Sequence, residues 1–231
     1  IRDGTVTGVQ TCALPIYLVG ANAIRGGSDY FCEPIDAQRW RWRDVGLRME
    51  LPMPVLSGPV QLANAGAAIA ALRALDRSVP RAAWARGIAA ARIDGRLQRF
   101  DHDGVQVLVD VGHNPQAAHA LARALQADPV PGRTHAVYAA LQDKDALGVV
   151  EALAAQVSQW TLAGLSGPRG QDAASLRQRL AGSAAGSADC AEEVAQALAQ
   201  VLEHAAPGDR VLVFGSFLAA GEALRWLRAR R

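Results

Sequence analysis

The sequence predicts an α/β fold, a mostly parallel but mixed sheet with helices on both faces. Three observations carry that expectation. Near-continuous apolar runs recur at Val105 to Val109, His135 to Leu141, Trp160 to Leu165 and Arg210 to Phe214, as in strands buried on both sides. Each is followed by a segment with helical spacing, at Gln116 to Leu125, Ala146 to Val157, Ala173 to Leu180 and Ala219 to Leu227; strand followed by helix, repeated, is the pattern of parallel pairing. Finally, Leu97 to Val109, with Asp103-Gly104 at its middle, reads as a hairpin that adds an antiparallel neighbour.

The elements can be justified in order along the chain. Ile1 to Ile16 show neither helical nor strand period and resemble translated adapter sequence, so they are set apart as a non-native leader. From Tyr17 to about Leu56, polar and aromatic residues alternate in Tyr30-Phe31-Cys32, Trp40-Arg41-Trp42-Arg43 and Leu47-Arg48-Met49-Glu50-Leu51, which predicts short half-buried strands. After Pro52 and Pro54, Gln61 to Leu75 places Leu62, Ala65, Ala68, Ile69 and Leu72 at helical spacing in an alanine-rich context. A second helix over Arg81 to Ala91 begins beside Pro80, and a further one over Ala191 to His204 precedes the last strand. The expected division is a leader (1–16), a segment of short strands (17–56), a helical linker region (57–94) and an α/β domain (95–231).

Composition excludes several classes of function. Half of the 231 residues are hydrophobic and 20% are charged, the balance of an ordinary globular protein. With 24 Lys+Arg against 22 Asp+Glu the net charge is +2, too small for a nucleic-acid footprint. The dense terminal run of Arg225, Arg228, Arg230 and Arg231 reads as a solvated helix end. Cys12, Cys32 and Cys190 have no metal or redox spacing, and no apolar run reaches the roughly 18 residues that span a bilayer. The expectation is a cytoplasmic monomer with neither nucleic-acid nor membrane partners.

In open α/β sheets, ligands collect beyond the carboxyl ends of the strands, where helix N-termini offer free N–H groups. The chemically unusual residues fall there: Asp110, Gly112, His113, Asn114 and Pro115 after the first parallel strand; Gln142, Asp143, Lys144 and Asp145 after the second; Gly167, Pro168, Arg169 and Gly170 after the third; Gly215 and Ser216 after the last. Singly, each has a plain structural role. Asn114 before Pro115 makes a good N-cap, Asp143, Asp145 or Ser216 can cap, and Gly167-Pro168 can turn. Together they gather acid, imidazole, cation and hydroxyl on one edge, as a charged substrate needs. Asp110 with His113 is the most specific pair, because a buried carboxylate is costly unless bonded.

At Asp110-Val111-Gly112-His113-Asn114-Pro115 the sequence resembles the Mur-ligase superfamily, in its folylpolyglutamate synthase branch. Gln61-Leu62-Ala63-Asn64-Ala65, Gly95-Arg96, Leu141-Gln142-Asp143-Lys144-Asp145, Gly167-Pro168-Arg169-Gly170 and Gly215-Ser216-Phe217 agree in order and spacing. Departures are Gly112, where alanine is frequent, and Leu97, where an aromatic is usual. The resemblance implies a Rossmann-like domain of the Mur-ligase C-terminal type, preceded by a remnant of the central ATP-binding domain. It also implies an ATP-dependent ligase that activates a carboxylate of dihydropteroate or a folate as an acyl phosphate, which the amine of L-glutamate then attacks.

By the same resemblance Asn64, Arg96 and Asp110 meet ATP, through a hydrogen bond, phosphate charge and the ribose respectively. His113 and Ser216 hold glutamate or the attacking amine. Lys144 and Arg169 either serve acidic substrates or are solvated loop charges. No metal ligand is assigned: Mg2+ and the Gly-x-x-x-x-Gly-Lys-Ser/Thr phosphate loop, absent from this sequence, belong to another part of such enzymes, so no turnover is expected of this chain alone. Two competing readings are another Mur-type amino-acid ligase and a non-catalytic nucleotide- or folate-binding module.

Overall fold

The computed structural model describes residues 18–56, 58, 60–75 and 79–230; the expected leader lies outside them. The chain divides into two compact units, one containing the described residues up to 55 with 61–91, the other 56–60 and the residues from 92 onward.

In the first unit, β1 (Phe31–Pro34), β2 (Arg39–Arg43) and β3 (Arg48–Pro52) form an antiparallel sheet. The alternating Arg-Trp-Arg-Trp-Arg of β2 sends Trp40 and Trp42 to one face, where both are fully buried with Met49 and Leu51, as the two-residue period of a strand requires. The opposite face carries Arg41 against Glu33 and Glu50. Helices α1 (Gln61–Ala74) and α2 (Arg81–Ala90) contribute Ile69, Ala70 and Trp84 to the same core. Residues 57–94 were expected as a linker region; its two helices instead share a core with the strands.

The face that α1 buries also differs from the expectation. Gly66, Ile69 and Ala70 are buried, whereas Ala68 and Leu72 are exposed. Contact is centred on Gly66, whose carbonyl accepts from Trp42 Nε1 at 3.1 Å and where a Cβ would meet Cys32 Sγ at 2.2 Å. Helical spacing alone does not show where side chains of distant strands pack onto the helix backbone this closely.

The second unit is a six-stranded sheet in the order β4-β5-β9-β6-β7-β8, comprising β4 (Gln98–His102), β5 (Val105–Val109), β6 (Thr134–Tyr138), β7 (Gln159–Ala163), β8 (Asp189–Ala191) and β9 (Arg210–Phe214). Only the β4–β5 hairpin is antiparallel. Helices α3 (Pro115–Ala127), α4 (Ala146–Leu153) and α5 (Ala173–Arg179) pack on Leu108, Ala136, Tyr138, Leu162, Leu212 and Phe214. On Val107, Val109, Val137, Ala163, Val211 and Val213 pack α6 (Val194–His204) and α7 (Phe217–Arg228). Every residue of the central strand β9 is buried, so Leu212→Ala is expected to cost about 2–5 kcal/mol.

Boundaries account for the remaining differences. The expected strand and helix from His135 and Ala146 end earlier, at Tyr138 and Leu153, and Asp189 to Ala191, partly placed at the start of a helix, forms β8 instead. Ala191 pairs with Ala163, and a Cβ on Gly164 would meet the Glu192 carbonyl at 2.5 Å. A three-residue edge strand with polar flanks has too few apolar positions to show a period.

Candidate functional site

Five helices begin at the carboxyl edge of the sheet, and all but α6 are capped by a side chain. Asn114 Oδ1 accepts from Ala117 N (2.8 Å), Asp145 Oδ1 from Gly148 N (3.0 Å), Asp172 Oδ1 from Ser175 N (2.7 Å) and Ser216 Oγ from Ala219 N (2.9 Å). Capping is therefore the local structural role of Asn114, Asp145 and Ser216. Asp143 has a different one: it pairs with Arg169 across the two neighbouring loops and with Lys144 at 3.6 Å. The Arg169 guanidinium holds the Asp143 carboxyl below its usual range.

A cleft of about 640 Å³ opens among these loops, lined by His113, Lys144, Ser166 to Gly170, Ser216 and the apolar Leu141, Phe217 and Leu218. His113 and Ser216 thus meet in one cleft, as expected, and Lys144 and Arg169 line it too. Two glycines shape its walls. A Cβ on Gly170 would meet the Leu165 carbonyl at 2.0 Å, and one on Gly215, whose φ is +117°, the Ala139 carbonyl at 2.5 Å; no other residue fits without moving backbone.

The tautomer of neutral His113 follows from its one intramolecular bond. Nδ1 lies 2.9 Å from the Val111 carbonyl, which can only accept, so Nδ1 carries the proton and Nε2 is left as an acceptor. Ser216 is 2% exposed and accepts the cap bond at Oγ; its own hydroxyl proton remains available to donate. The pair can therefore accept one hydrogen bond and donate another to an amine-and-carboxylate ligand.

Asp110 directly follows β5 and is buried. Its Oδ1 accepts from Gly112 N at 2.6 Å and its Oδ2 from Leu97 N at 2.8 Å. Burial pushes its carboxyl above the usual range, against the pull of those two N–H groups and of Arg96. Arg96 is half-buried, carries no ion pair among the described residues and acts on Asp110 through its field. A cation left unpaired beside a tied carboxylate fits a phosphate-bearing ligand. Asn64 belongs to the first unit, where it is exposed on α1 with Nδ2 donating to Gln61 Oε1 at 3.2 Å. Among the described residues no group of three or more His, Cys, Asp or Glu could hold a metal ion. None of their helices is long and apolar enough to cross a membrane.

Several residues of the site were not legible in advance. Ser166 and Leu218 line the cleft, as do Leu141 and Phe217, which the sequence offered only as motif members without a role, and Gln171 Nε2 donates to the Ala140 carbonyl at 2.7 Å while Arg179 bonds Gln171 and the Lys144 carbonyl. The glycines at 164 and 170 were the available signal that backbone crowds here, and Gly167, with φ of +97°, the signal of a left-handed turn.

Comparison with known proteins identifies the family. Residues 95–217 match the family model described as Mur ligase, glutamate ligase domain. The dihydrofolate synthase/folylpolyglutamate synthase of Escherichia coli (strain K12) is 37% identical over 193 residues, which are 83% of this chain and 43% of that protein. Among solved structures, E. coli FolC in complex with ADP superposes with a TM-score of 0.82 at 34% identity, covering 96% of this chain and 52% of that one. A bifunctional folylpolyglutamate synthase/dihydrofolate synthase with Mn, AMPPNP and L-glutamate bound gives 0.81 at 30% identity, covering 95% and 51%. The chain spans less than half of the curated relative and about half of the solved ones. With the family model covering more than half of its length, the chain belongs to the Mur ligase family and carries that family's glutamate ligase domain.

Proposed function

We propose that this chain supplies the amino-acid-binding part of an ATP-dependent ligase that adds L-glutamate to dihydropteroate or to a folate. The observation that carries the reading is the meeting of His113 and Ser216 in one cleft within the glutamate ligase domain. ATP, with Mg2+, supplies the phosphate that turns the acceptor's carboxylate into an acyl phosphate. The glutamate amine then forms the amide bond with the acyl carbon as phosphate leaves, and the amine gives up a proton.

In this scheme His113 Nε2 accepts the hydrogen bond of the amine, orienting its lone pair, and takes the proton. Ser216 donates to a carboxylate of the same ligand. Arg96 faces a phosphate group, where a fixed cation offsets charge. Asp110 has two backbone partners and lone pairs left for a ribose hydroxyl. Lys144 and Arg169, tied to Asp143, set the charge of the cleft wall. Asn64 is assigned to the nucleotide by the resemblance alone. Strands β1 to β3 with α1 and α2 are assigned to the central ATP-binding domain, residues from 95 onward to the ligase domain, and the protein acts as a cytoplasmic monomer. No step is assigned to a metal held by this chain.

The test is a titration of L-glutamate into the chain, followed on the backbone amide resonances of Gly167 and Gly170 in the cleft wall, with 2,6-diaminopimelate as competitor. A saturable shift for L-glutamate, lost in His113→Ala and weakened in Ser216→Ala, is expected. Preference for diaminopimelate would move the assignment to a cell-wall ligase. In an enzyme assembled with this domain, Arg96→Ala is expected to lower turnover roughly 100-fold, as for other deleted transition-state donors; near-normal kinetics would remove Arg96 from the site.

A further inference from the structure

Arg96 sits in an unusual stretch of backbone. Gly95 has φ of +68° and Leu97 of +44°, so the arginine is flanked on both sides by left-handed residues. For glycine that conformation is ordinary, and a Cβ at 95 would in any case meet Val111 Cγ1 at 2.9 Å. For leucine it is strained, because Cβ crowds the following carbonyl. Strain of this kind persists only where the surroundings hold it, and it concentrates at functional positions.

The holding groups can be named. Leu97 N donates to Asp110 Oδ2 at 2.8 Å, Gly95 N donates to Gln98 Oε1 at 3.0 Å, and the Gly95 carbonyl accepts from Val111 N at 2.9 Å. Gln98 is itself oriented. The Asp94 carboxyl is held below its usual range first by Arg228 of α7, at 2.7 Å, and also by the Gln98 side chain. Since a carboxylate can only accept, the Gln98 amide nitrogen faces Asp94 and its oxygen is left for Gly95 N.

We propose that Gln98 is a positioning residue for Arg96: with Asp110 it clamps a turn that is left-handed at 95 and 97, so that the half-buried arginine between them stands unpaired and ready for an anion. The clamp has one carboxylate and one amide, each taking a backbone N–H on either side of the arginine. Position 98 is the second residue after the arginine and starts β4, so the same hairpin that closes the sheet edge also anchors the turn. Arg228 and Asp94 extend the clamp to α7, whose first turn lines the cleft. The benefit to function rests on Arg96 as a phosphate contact; the clamp itself does not.

The experiment uses the whole chain, labelled with nitrogen-15, and follows the Gly95 and Leu97 amides and the Arg96 Nε–H by NMR, with ADP as the added probe. In Gln98→Ala the Gly95 amide is expected to exchange at least tenfold faster and the Arg96 Nε–H to move toward its free value, while the amides of β5 and β9 stay protected. Gln98→Glu combined with Asp94→Asn, which keeps the acceptor oxygen for Gly95 and exchanges donor and acceptor between positions 94 and 98, restores Gly95 protection. ADP binding weakens about tenfold in Gln98→Ala and recovers in the double variant. Unchanged Gly95 exchange and Arg96 resonance in Gln98→Ala overturn the clamp. A loosened turn with undiminished ADP affinity overturns the positioning role. If the wild-type chain, which has no phosphate loop, takes no ADP, the amide and guanidinium signals alone decide whether Gln98 sets the turn.

Discussion

Two buried aspartates stand at opposite edges of the large sheet and perform the same local task with opposite electrostatic results. At the carboxyl edge Asp110 binds two backbone N–H groups, of Gly112 and Leu97, and burial drives its carboxyl upward. At the amino edge Asp209 likewise binds two, of Arg133 and Ala206, and its Oδ2 also meets His135 Nε2 at 3.2 Å. Burial opposes ionisation there as well, but the two N–H groups and His135 outweigh it and hold the carboxyl below its usual range. The difference is the third partner. The amino edge satisfies its charge within the fold, whereas the carboxyl edge leaves a carboxylate less than fully compensated, next to an unpaired arginine. Incomplete compensation is what a ligand can complete.

The comparison is most strongly tested by removing Asp209. Asp209→Ala leaves two backbone donors and His135 without their acceptor, and loses on the order of 3 kcal/mol at about 1–3 kcal/mol per orphaned buried group, measured by urea unfolding. A loss under 1 kcal/mol would break the view that this edge is structurally closed. Asp110→Asn is milder, because it removes a buried charge as well as one acceptor; a cost of about 1 kcal/mol is expected, and a cost equal to that of Asp209→Asn would erase the contrast.

The pH profiles have opposite signs. Asp209 has a lowered folded pKa, so its contribution is fully present above the ordinary carboxylate value and disappears as pH falls through the lower folded value. Asp110 has a raised folded pKa; the folded state holds the proton longer, so stability falls as pH rises from the ordinary value through the raised one. Urea midpoints across acid pH should therefore lose their acid-side decline in Asp209→Asn and their rising-pH decline in Asp110→Asn. Smallest of all is Arg169→Ala: both members of the Arg169 and Asp143 pair are largely exposed, and such pairs contribute no more than about 0.5 kcal/mol in most contexts. A larger loss would show that the loop tie supports the cleft wall.

Much of the architecture was legible because it is written in period. The four core strands, the Asp103-Gly104 hairpin and the helix that follows each of those four strands all stand where apolar texture placed them, and the loops bearing His113 and Ser216 do converge. What escaped is not periodic. The three residues of β8, the close approach at Gly66 and the side chains that hold the 95–97 turn depend on particular contacts that no period records. Asp110 was recognised as unusual from its place at a strand end, but its two backbone partners could not be read from spacing, since Leu97 lies on the far side of a hairpin.

The two ends of the strand order bear on how the chain behaves before it finds any ligand. A sheet's outermost strand exposes unpaired N–H and C=O groups that another chain can join. Here one end is the reversed strand β4, which carries Arg99, Asp101 and His102, and the other is β8, only three residues long. A charged strand at one end and a very short one at the other give a neighbouring molecule little to extend. The same hairpin that anchors Arg96 therefore also discourages edge-to-edge aggregation, and substitutions that strip β4 of its charge should show first as lost solubility.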